Sequence, residues 1–176
     1  MTEPVLSLPV HDATRFVLVR PHYPENVGAA ARAMKTMGFT RLALVKPSRL
    51  AVPEHEMALK MAVKSRDVLS AAETYTALDQ ALSTAELVIA TTSRRGVTGA
   101  LPLRRAAELV VERAARGMRI TMVFGNEKTG LSADDFALCH AALRIPMVAD
   151  QPSINLAQAV QLVAYELFVA ALGARG

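Results

Sequence analysis

The feature that most constrains the fold is a series of short apolar runs separated by segments of helical periodicity. Five of these runs predict buried strands, at residues 16–20, 42–45, 87–90, 120–124 and 143–146. The runs are almost entirely apolar and do not show regular alternation with polar residues, which is typical of parallel strands covered on both faces. The sequence therefore predicts a single α/β domain, a parallel sheet with helices on both faces.

The segments between the runs carry the predicted helices. Apolar residues at helical spacing predict a helix that starts at Asn26 and closes at Gly38, which takes the C-cap position. Further helices are predicted near residues 54–63, 77–82, 103–114, 132–138 and 155–170, and Ser132 with Asp135 has the spacing of a capping box. Residues 1–14 contain two prolines and no periodicity, so they are interpreted as a flexible N-terminal tail before a domain of residues 15–176.

Composition and charge narrow the class of protein. Hydrophobic residues make up 52% and charged residues 20%, which excludes a disordered chain. No apolar run approaches the roughly 20 residues of a membrane span, and the N-terminus lacks the pattern of a secretory signal. A single cysteine, Cys139, and four scattered histidines predict a reducing cytoplasm and no metal site. The net charge of +4 is compatible with a nucleic-acid partner.

Four polar segments follow predicted strands and should meet at the carboxyl edge of the sheet, where open parallel sheets bind ligands. They are PHYPENVGAAAR, TTSRRGVTG, GNEKTGLS and MVADQPSIN, after the first, third, fourth and fifth strands. The patterns GxGxxG, GxxxxGK[ST] and GxSxG are absent. A Rossmann dehydrogenase, a P-loop NTPase and an α/β-hydrolase are therefore disfavoured.

Each notable residue in these segments also has an ordinary structural explanation. Asn26 and Asn155 suit the N-cap positions of helices. Arg32 could be a solvated side chain near the start of its helix, and Glu127 a surface loop residue. Gly125 and Gly130 could serve only to permit a positive φ. Taken singly, none of these residues indicates a function.

Taken together and in order, three segments resemble the motifs of the TrmH family of RNA methyltransferases, within the SPOUT superfamily. They are N-V-G-A-A-A-R (26–32), F-G-N-E-K-T-G-L-S (124–132), and I-P-M followed by S-I-N-L-A-Q-A-V (145–160). The resemblance covers nearly all of residues 15–171. It is closest to the TrmJ-like branch, the tRNA (cytidine/uridine-2′-O-)-methyltransferases, in R-A-M-K-T-M-G-F and S-I-N-L-A-Q-A-V-Q-L-V-A-Y-E.

The resemblance implies a homodimer with a deep trefoil knot in the C-terminal part of each chain, where S-adenosylmethionine binds. Its methyl group is expected to pass to a ribose 2′-hydroxyl of RNA. By match of position, the residues expected to bind the cofactor are Thr91, Thr92, Ser93, Gly125, Ile145, Ser153, Ile154 and Asn155.

The resemblance also implies the catalytic residues. Arg32 corresponds to the family's catalytic arginine and is expected to contact RNA, with Asn26, Glu127 and Asn155 around the reacting ribose. A guanidinium is a poor base. Arg32 is therefore expected either to orient the 2′-hydroxyl through the adjacent phosphate or to accept its proton transiently, and the sequence leaves both roles open.

Three interpretations of the function follow. The TrmJ-like resemblance favours tRNA, at the ribose of the first nucleotide of the anticodon loop. Ribosomal RNA is the alternative, and a non-catalytic RNA-binding dimer of the same fold is the alternative from another class. Arg94 and Arg95 are expected to contact the RNA backbone. The alternative is that they are solvated side chains of a mobile surface loop. Excess apolar surface on the last helix predicts burial against a partner copy.

The sequence departs from the TrmJ-like pattern in two places. Lys64 and Ser65 stand where TrmJ-like proteins often have Gly-Ala, which affects the expected turn there. TrmJ-like proteins also commonly continue into a C-terminal extension that helps to bind tRNA. The sequence is therefore expected to be either a catalytic domain without that extension or a minimal enzyme with a different RNA.

Overall fold

The computed structural model describes residues 6–93, 97–148 and 154–175. Within them, seven strands form one sheet in the order β3-β2-β1-β6-β4-β7-β5, and every pairing is parallel. The strands are β1 Thr14–Val19, β2 Leu42–Val45, β3 Glu73–Tyr75, β4 Leu87–Thr92, β5 Leu101–Pro102, β6 Ile120–Phe124 and β7 Ala141–Arg144. The predicted parallel α/β domain is confirmed, and the five apolar runs correspond to β1, β2, β4, β6 and β7.

Eight helices connect the strands in the described part of the chain. They are α1 Pro9–Ala13, α2 Pro24–Thr36, α3 Glu56–Met61, α4 Arg66–Ala71, α5 Leu78–Ala81, α6 Leu103–Ala115, α7 Ala133–Ala137 and α8 Leu156–Arg175. Alternate residues of β1 face opposite layers. Phe16 and Leu18 pack in the larger core cluster with α1–α4, α6 and α8. Val17 and Val19 pack in the smaller cluster with α5 and α7, so helices cover both faces of the sheet.

The expectation of a flexible tail over residues 1–14 is wrong for residues 9–14. Residues 9–13 form α1, and Pro9 occupies the first helical turn, where proline needs no hydrogen-bond partner. His11 is buried. Its Nδ1 accepts a hydrogen bond from the backbone N–H of Leu8 at 3.1 Å, and its Nε2–H donates to the carbonyl of Met37 at 2.9 Å. The bond to Met37 attaches α1 to the end of α2.

The last strands of the chain enter the middle of the sheet. β6 lies between β1 and β4, and β7 lies between β4 and β5. The carboxyl ends of β1, β6, β4 and β7 therefore lie side by side at one edge. The trefoil knot stays a prediction.

The longest helix, α8, corrects one expectation from composition. Its 20 residues include an 18-residue stretch with a mean hydropathy of 1.5, which by length and composition alone could cross a membrane, so the expectation that no segment reaches that length is wrong. However, Val160, Val163 and Leu167 are fully buried, and α8 packs against α2 and α6. One face of α8 is therefore part of the core.

Lys64 shows why the departure from the Gly-Ala pattern matters. Its φ is +58°, in the left-handed region that glycine adopts without steric conflict. Ser65, which follows, is buried. Lysine therefore occupies a position in this turn where glycine would fit without strain. The left-handed backbone conformation of Lys64 costs about 1 kcal/mol.

Candidate active site

A cavity of about 320 Å³ opens at the carboxyl edge of the sheet, where β4, β6 and β7 end. Six of the eight residues predicted to bind the cofactor line it: Thr91, Thr92, Ser93, Gly125, Ile145 and Ile154. Asn155 lies next to Ile154 but is not part of the lining, and Ser153 lies outside the described residues. Leu131, Leu156 and Ala159 add apolar walls. The size suits a small molecule.

The loop after β6 is folded back on itself and carries one wall of the cavity. The backbones of Asn126 and Gly130 exchange hydrogen bonds of 3.3 and 2.8 Å. The side-chain oxygen of Asn126 accepts from the N–H groups of Lys128 and Thr129 at 2.7 and 3.1 Å. A Cβ on Gly125 would lie only 2.5 Å from the carbonyl carbon of Gly130, whose own φ is +66°. The positive-φ explanation therefore holds for Gly130, whereas Gly125 is needed for close approach.

The same loop is tied to the end of β1 and the start of α7. The Asn126 side-chain amide donates to the carbonyl of Arg20 at 2.6 Å, and the Arg20 guanidinium forms a bidentate ion pair with Asp135. The predicted capping box of Ser132 and Asp135 is confirmed. Burial raises the pKa of Asp135, but the hydrogen bonds from Arg20 and Ser132 outweigh it, and the pKa is lowered from its ordinary value.

Glu127 is the centre of a hydrogen-bond network at the cavity edge. Its carboxylate accepts from the backbone N–H of His22 at 2.9 Å, from that of Tyr23 at 3.0 Å, and from the side-chain amide of Asn26 at 2.9 Å. Asn155 in turn donates from its side-chain amide to the side-chain oxygen of Asn26 at 3.1 Å. The structure thus brings three of the four predicted catalytic residues together.

The charge of Glu127 is stabilised by this network. Burial acts to raise the pKa of Glu127, but the hydrogen bonds from Asn26 and the backbone amides of His22 and Tyr23 outweigh it. The pKa is therefore lowered from its ordinary value, and the side chain is a carboxylate at neutral pH.

The two capping explanations have different outcomes. Tyr23 is the N-cap of α2, so Asn26 lies inside the first turn and is not a cap. The side-chain oxygen of Asn155 accepts from the N–H of Gln158 at 3.2 Å at the start of α8, so its capping role is confirmed. Asn155 both starts α8 and contacts Asn26.

Arg32, the fourth predicted catalytic residue, lies apart from this network. It follows Asn26 by six positions on α2, which places it about 9 Å along the helix and about 120° around its axis. Its side chain is exposed, and within residues 6–93, 97–148 and 154–175 it forms neither a hydrogen bond nor an ion pair. Arg94 and Arg95, predicted to contact RNA, lie outside the described residues.

Sequence reasoning missed the ion pair between Arg20 and Asp135, which are 115 positions apart and leave no local pattern of their contact. A bidentate arginine–carboxylate pair fixes two elements with directional bonds. Among the described side chains, no group of three His, Cys, Asp or Glu residues is placed to hold a metal ion. The absence of a metal stays a prediction.

Comparison with known proteins identifies the family. The profile of the SpoU rRNA Methylase family matches residues 13–165. The tRNA (cytidine/uridine-2′-O-)-methyltransferase TrmJ of Pectobacterium atrosepticum is 40% identical over 163 residues, 92% of this chain and 66% of the relative. A protein of Haemophilus influenzae named as an uncharacterized tRNA/rRNA methyltransferase is 42% identical over 160 residues, 90% of this chain and 64% of that one. The chain thus spans just under two thirds of the length of these relatives.

Solved structures agree with the sequence matches. A probable methyltransferase from Bordetella pertussis has a TM-score of 0.87 at 35% identity, covering 92% of this chain and 98% of its own. TrmJ from Z. mobilis has a TM-score of 0.81 at 36% identity, covering 89% of this chain and 69% of its own. These matches confirm the TrmJ-like resemblance, and the chain belongs to the SpoU rRNA methylase family.

Proposed function

We propose that this chain is an RNA 2′-O-ribose methyltransferase that uses S-adenosylmethionine and acts on tRNA, at the first nucleotide of the anticodon loop. One observation carries the proposal. A cavity lined by the predicted cofactor residues opens beside the hydrogen-bonded group of Glu127, Asn26 and Asn155. Relatives that are about 40% identical are named TrmJ tRNA 2′-O-methyltransferases.

The residues that line the cavity fit S-adenosylmethionine. Thr91, Thr92 and Ser93 bring hydroxyl and backbone groups suited to the ribose and adenine, and Ile145 and Leu156 offer apolar surface to the base. The Thr91 hydroxyl donates to the carbonyl of Val123 at 3.0 Å, which fixes its oxygen as an acceptor. When bound, the cofactor supplies a methyl group activated by a sulfonium.

The network at the cavity edge assigns Glu127 a positioning role. Its carboxylate already accepts hydrogen bonds from His22, Tyr23 and Asn26, and its lowered pKa makes it a weak proton acceptor. Glu127 therefore holds Asn26, whose side-chain oxygen accepts from Asn155. The two asparagine amides are fixed where the target ribose would approach the cavity.

Arg32 is the residue left to act on the RNA itself. Its exposed guanidinium, with no partner in the described part of the chain, is available to a phosphate. We propose that it orients the 2′-hydroxyl through that phosphate, or accepts the proton as the methyl group is transferred. The proposed contact of Arg94 and Arg95 with the RNA backbone rests on the sequence alone.

The outer face of α8 supports the proposal of a homodimer. Its exposed side chains Leu162, Tyr165, Val169 and Leu172 are between 39 and 49% accessible. A helix with apolar side chains on two faces gains stability when the second face is covered. We propose that a second copy of the chain covers this face. We also propose that the protein acts in a reducing cytoplasm. Sedimentation at micromolar concentration is expected to show a dimer, and a monomer would contradict it.

The function is tested by incubating the purified chain and S-adenosylmethionine with tRNA and with ribosomal RNA, followed by mass mapping of the modified nucleotides. A 2′-O-methyl group in the anticodon loop of tRNA is the expected result. Modification of ribosomal RNA alone would favour the alternative that the family's name suggests. Calorimetric titration with S-adenosylmethionine is the companion measurement, because no cofactor binding would favour a non-catalytic RNA-binding dimer.

A further inference from the structure

Two exposed rings and an ammonium group form a cluster beside the Glu127 network. His22 and Tyr23 lie in the loop after β1, with ring centroids 4.6 Å apart and planes at 86°. Lys128, from the loop after β6, places its Nζ 5.6 Å from the centre of the Tyr23 ring. All three side chains are exposed, Tyr23 by 42%. We call these three residues the ring platform.

The backbone beneath the ring platform is fixed from two sides. Glu127 accepts the N–H groups of both His22 and Tyr23, and the hydroxyl of Ser48 donates to the His22 carbonyl at 2.7 Å. Exposed rings on an ordered backbone need little further ordering when a ligand binds. The ring platform is therefore preorganised for a flat partner.

The ring platform is physically joined to the proposed site of the reaction. The Glu127 carboxylate that holds its backbone also holds Asn26, which is bonded to Asn155. A ligand that contacts the rings would therefore lie next to the nucleotide whose ribose reaches the asparagine amides.

We propose that the ring platform stacks a nucleobase of single-stranded RNA adjacent to the target nucleotide, an inference that rests on the proposed function. Aromatic side chains stack with unpaired bases whatever their sequence. The Lys128 ammonium group, which lies over the Tyr23 ring, attracts the neighbouring phosphate, and the net charge of +4 favours a polyanion. The stacked base sets the register of the RNA, so that one ribose faces the site.

The stacking is tested with the full chain, S-adenosylmethionine and an RNA hairpin that carries the fluorescent base 2-aminopurine in its loop. The wild type is expected to quench the probe on binding, and Tyr23→Phe is expected to do the same because it keeps the ring. Tyr23→Ala is expected to lose the quenching and to weaken binding by about tenfold or more. A melting curve shows that the variant is folded.

The phosphate contact is tested separately. Lys128→Ala is expected to lower the slope of log affinity against log salt by about one. The matched control is Arg116→Ala, which removes an exposed positive charge at the end of α6, at the opposite edge of the sheet. That control is expected to leave the slope unchanged.

The outcomes separate the ring platform from the proposed function. Undiminished quenching by Tyr23→Ala, while the wild type methylates RNA, would overturn the ring platform and leave the function standing. A wild type that binds S-adenosylmethionine but no RNA would overturn both. A changed sedimentation coefficient for Tyr23→Ala would assign the surface to contact between copies of the chain and would also overturn the inference.

Discussion

The loop after β6 and the helix α2 carry the two halves of the proposed site, and they are held in opposite ways. The loop is bonded to itself, to the end of β1 and to the start of α2 through Asn126 and Glu127. Arg32, on the next turns of α2, is exposed and has no partner within the described residues. The difference supports the proposal that the cofactor cavity is already shaped within the described part of one chain, whereas Arg32 acquires a partner when RNA or a second copy binds.

Removing the side chain of Arg32 should have the largest effect on turnover. Arg32→Ala is expected to lower single-turnover methylation by about two to four orders of magnitude, the range typical of assistance to proton transfer. Cofactor affinity and melting temperature should stay unchanged, because Arg32 makes no described contact with the cavity. Arg32→Lys should restore little, since an ammonium group cannot form a planar two-pronged contact.

Arg105→Ala is the control for loss of one exposed arginine. Arg105 lies on α6 and pairs only with Glu108 of the same helix in the described structure. Near-normal turnover of Arg32→Ala would end its catalytic assignment, and a lowered melting temperature would make Arg32 a structural residue of α2.

Disturbing the loop after β6 should have the opposite effects to those of Arg32→Ala. Cofactor affinity and stability should fall together. Gly125→Ala places a Cβ 2.5 Å from the Gly130 carbonyl carbon and 2.6 Å from the Leu131 nitrogen, and both are backbone atoms that cannot move aside easily. We expect a loss of about 1–3 kcal/mol of stability, as for other overpacked sites. Calorimetric titration with S-adenosylmethionine and a thermal melt measure both effects.

Gly173→Ala is the matched control, since nothing lies within 4 Å of its added Cβ and it stands in α8. It should be neutral or slightly stabilising, because alanine favours helix more than glycine does. Equal cofactor affinity in Gly125→Ala and the wild type would mean that the loop does not shape the cofactor site.

The smallest expected effect is on the pH dependence of stability, through the Glu127 carboxylate that links the loop after β6 to α2. Because the folded pKa of Glu127 lies below its ordinary value of 4.5, its contribution to stability is present above that pH and is lost as the pH falls through the folded pKa. Glu127→Gln should therefore be less stable than the wild type near neutral pH, by about 1 kcal/mol or less. The difference should shrink in acid.

Melting temperatures of both proteins from neutral pH to below the ordinary glutamate pKa measure this difference. Parallel curves, with the same gap at every pH, would show that the carboxylate charge of Glu127 does not contribute to the fold.

Several features of the fold could be predicted because they leave a local pattern. The buried strands β2 and β6 are apolar runs whose bounds the sequence gives directly, and Ser132 with Asp135 has capping-box spacing. The edge strands β3 and β5 are three and two residues long and have no fully buried side chain, so no apolar run marks them. α1 was missed because its proline starts the helix.

The candidate site divides in the same way. The residues of the cavity and of the Glu127 network were found through their resemblance to family motifs, since their spacing alone left ordinary explanations open. Long-range partners such as Arg20 with Asp135 and Tyr23 with Lys128 come from different strand ends. Only the sheet order brings these residues together, and no sequence pattern reports it.

The strand order has a consequence for how the chain acquires its structure. β4 pairs with β6 and β7, both of which come later in the sequence, and β5 pairs only with β7 among the described strands. During synthesis β1, β2 and β3 can assemble as they emerge, whereas β4 keeps two open edges until residues 120–144 have left the ribosome. Parallel pairing over such separations is slow, and unpaired edges favour aggregation. The carboxyl edge that forms the proposed site is therefore completed last, and refolding yield should depend on how quickly β6 and β7 find their places.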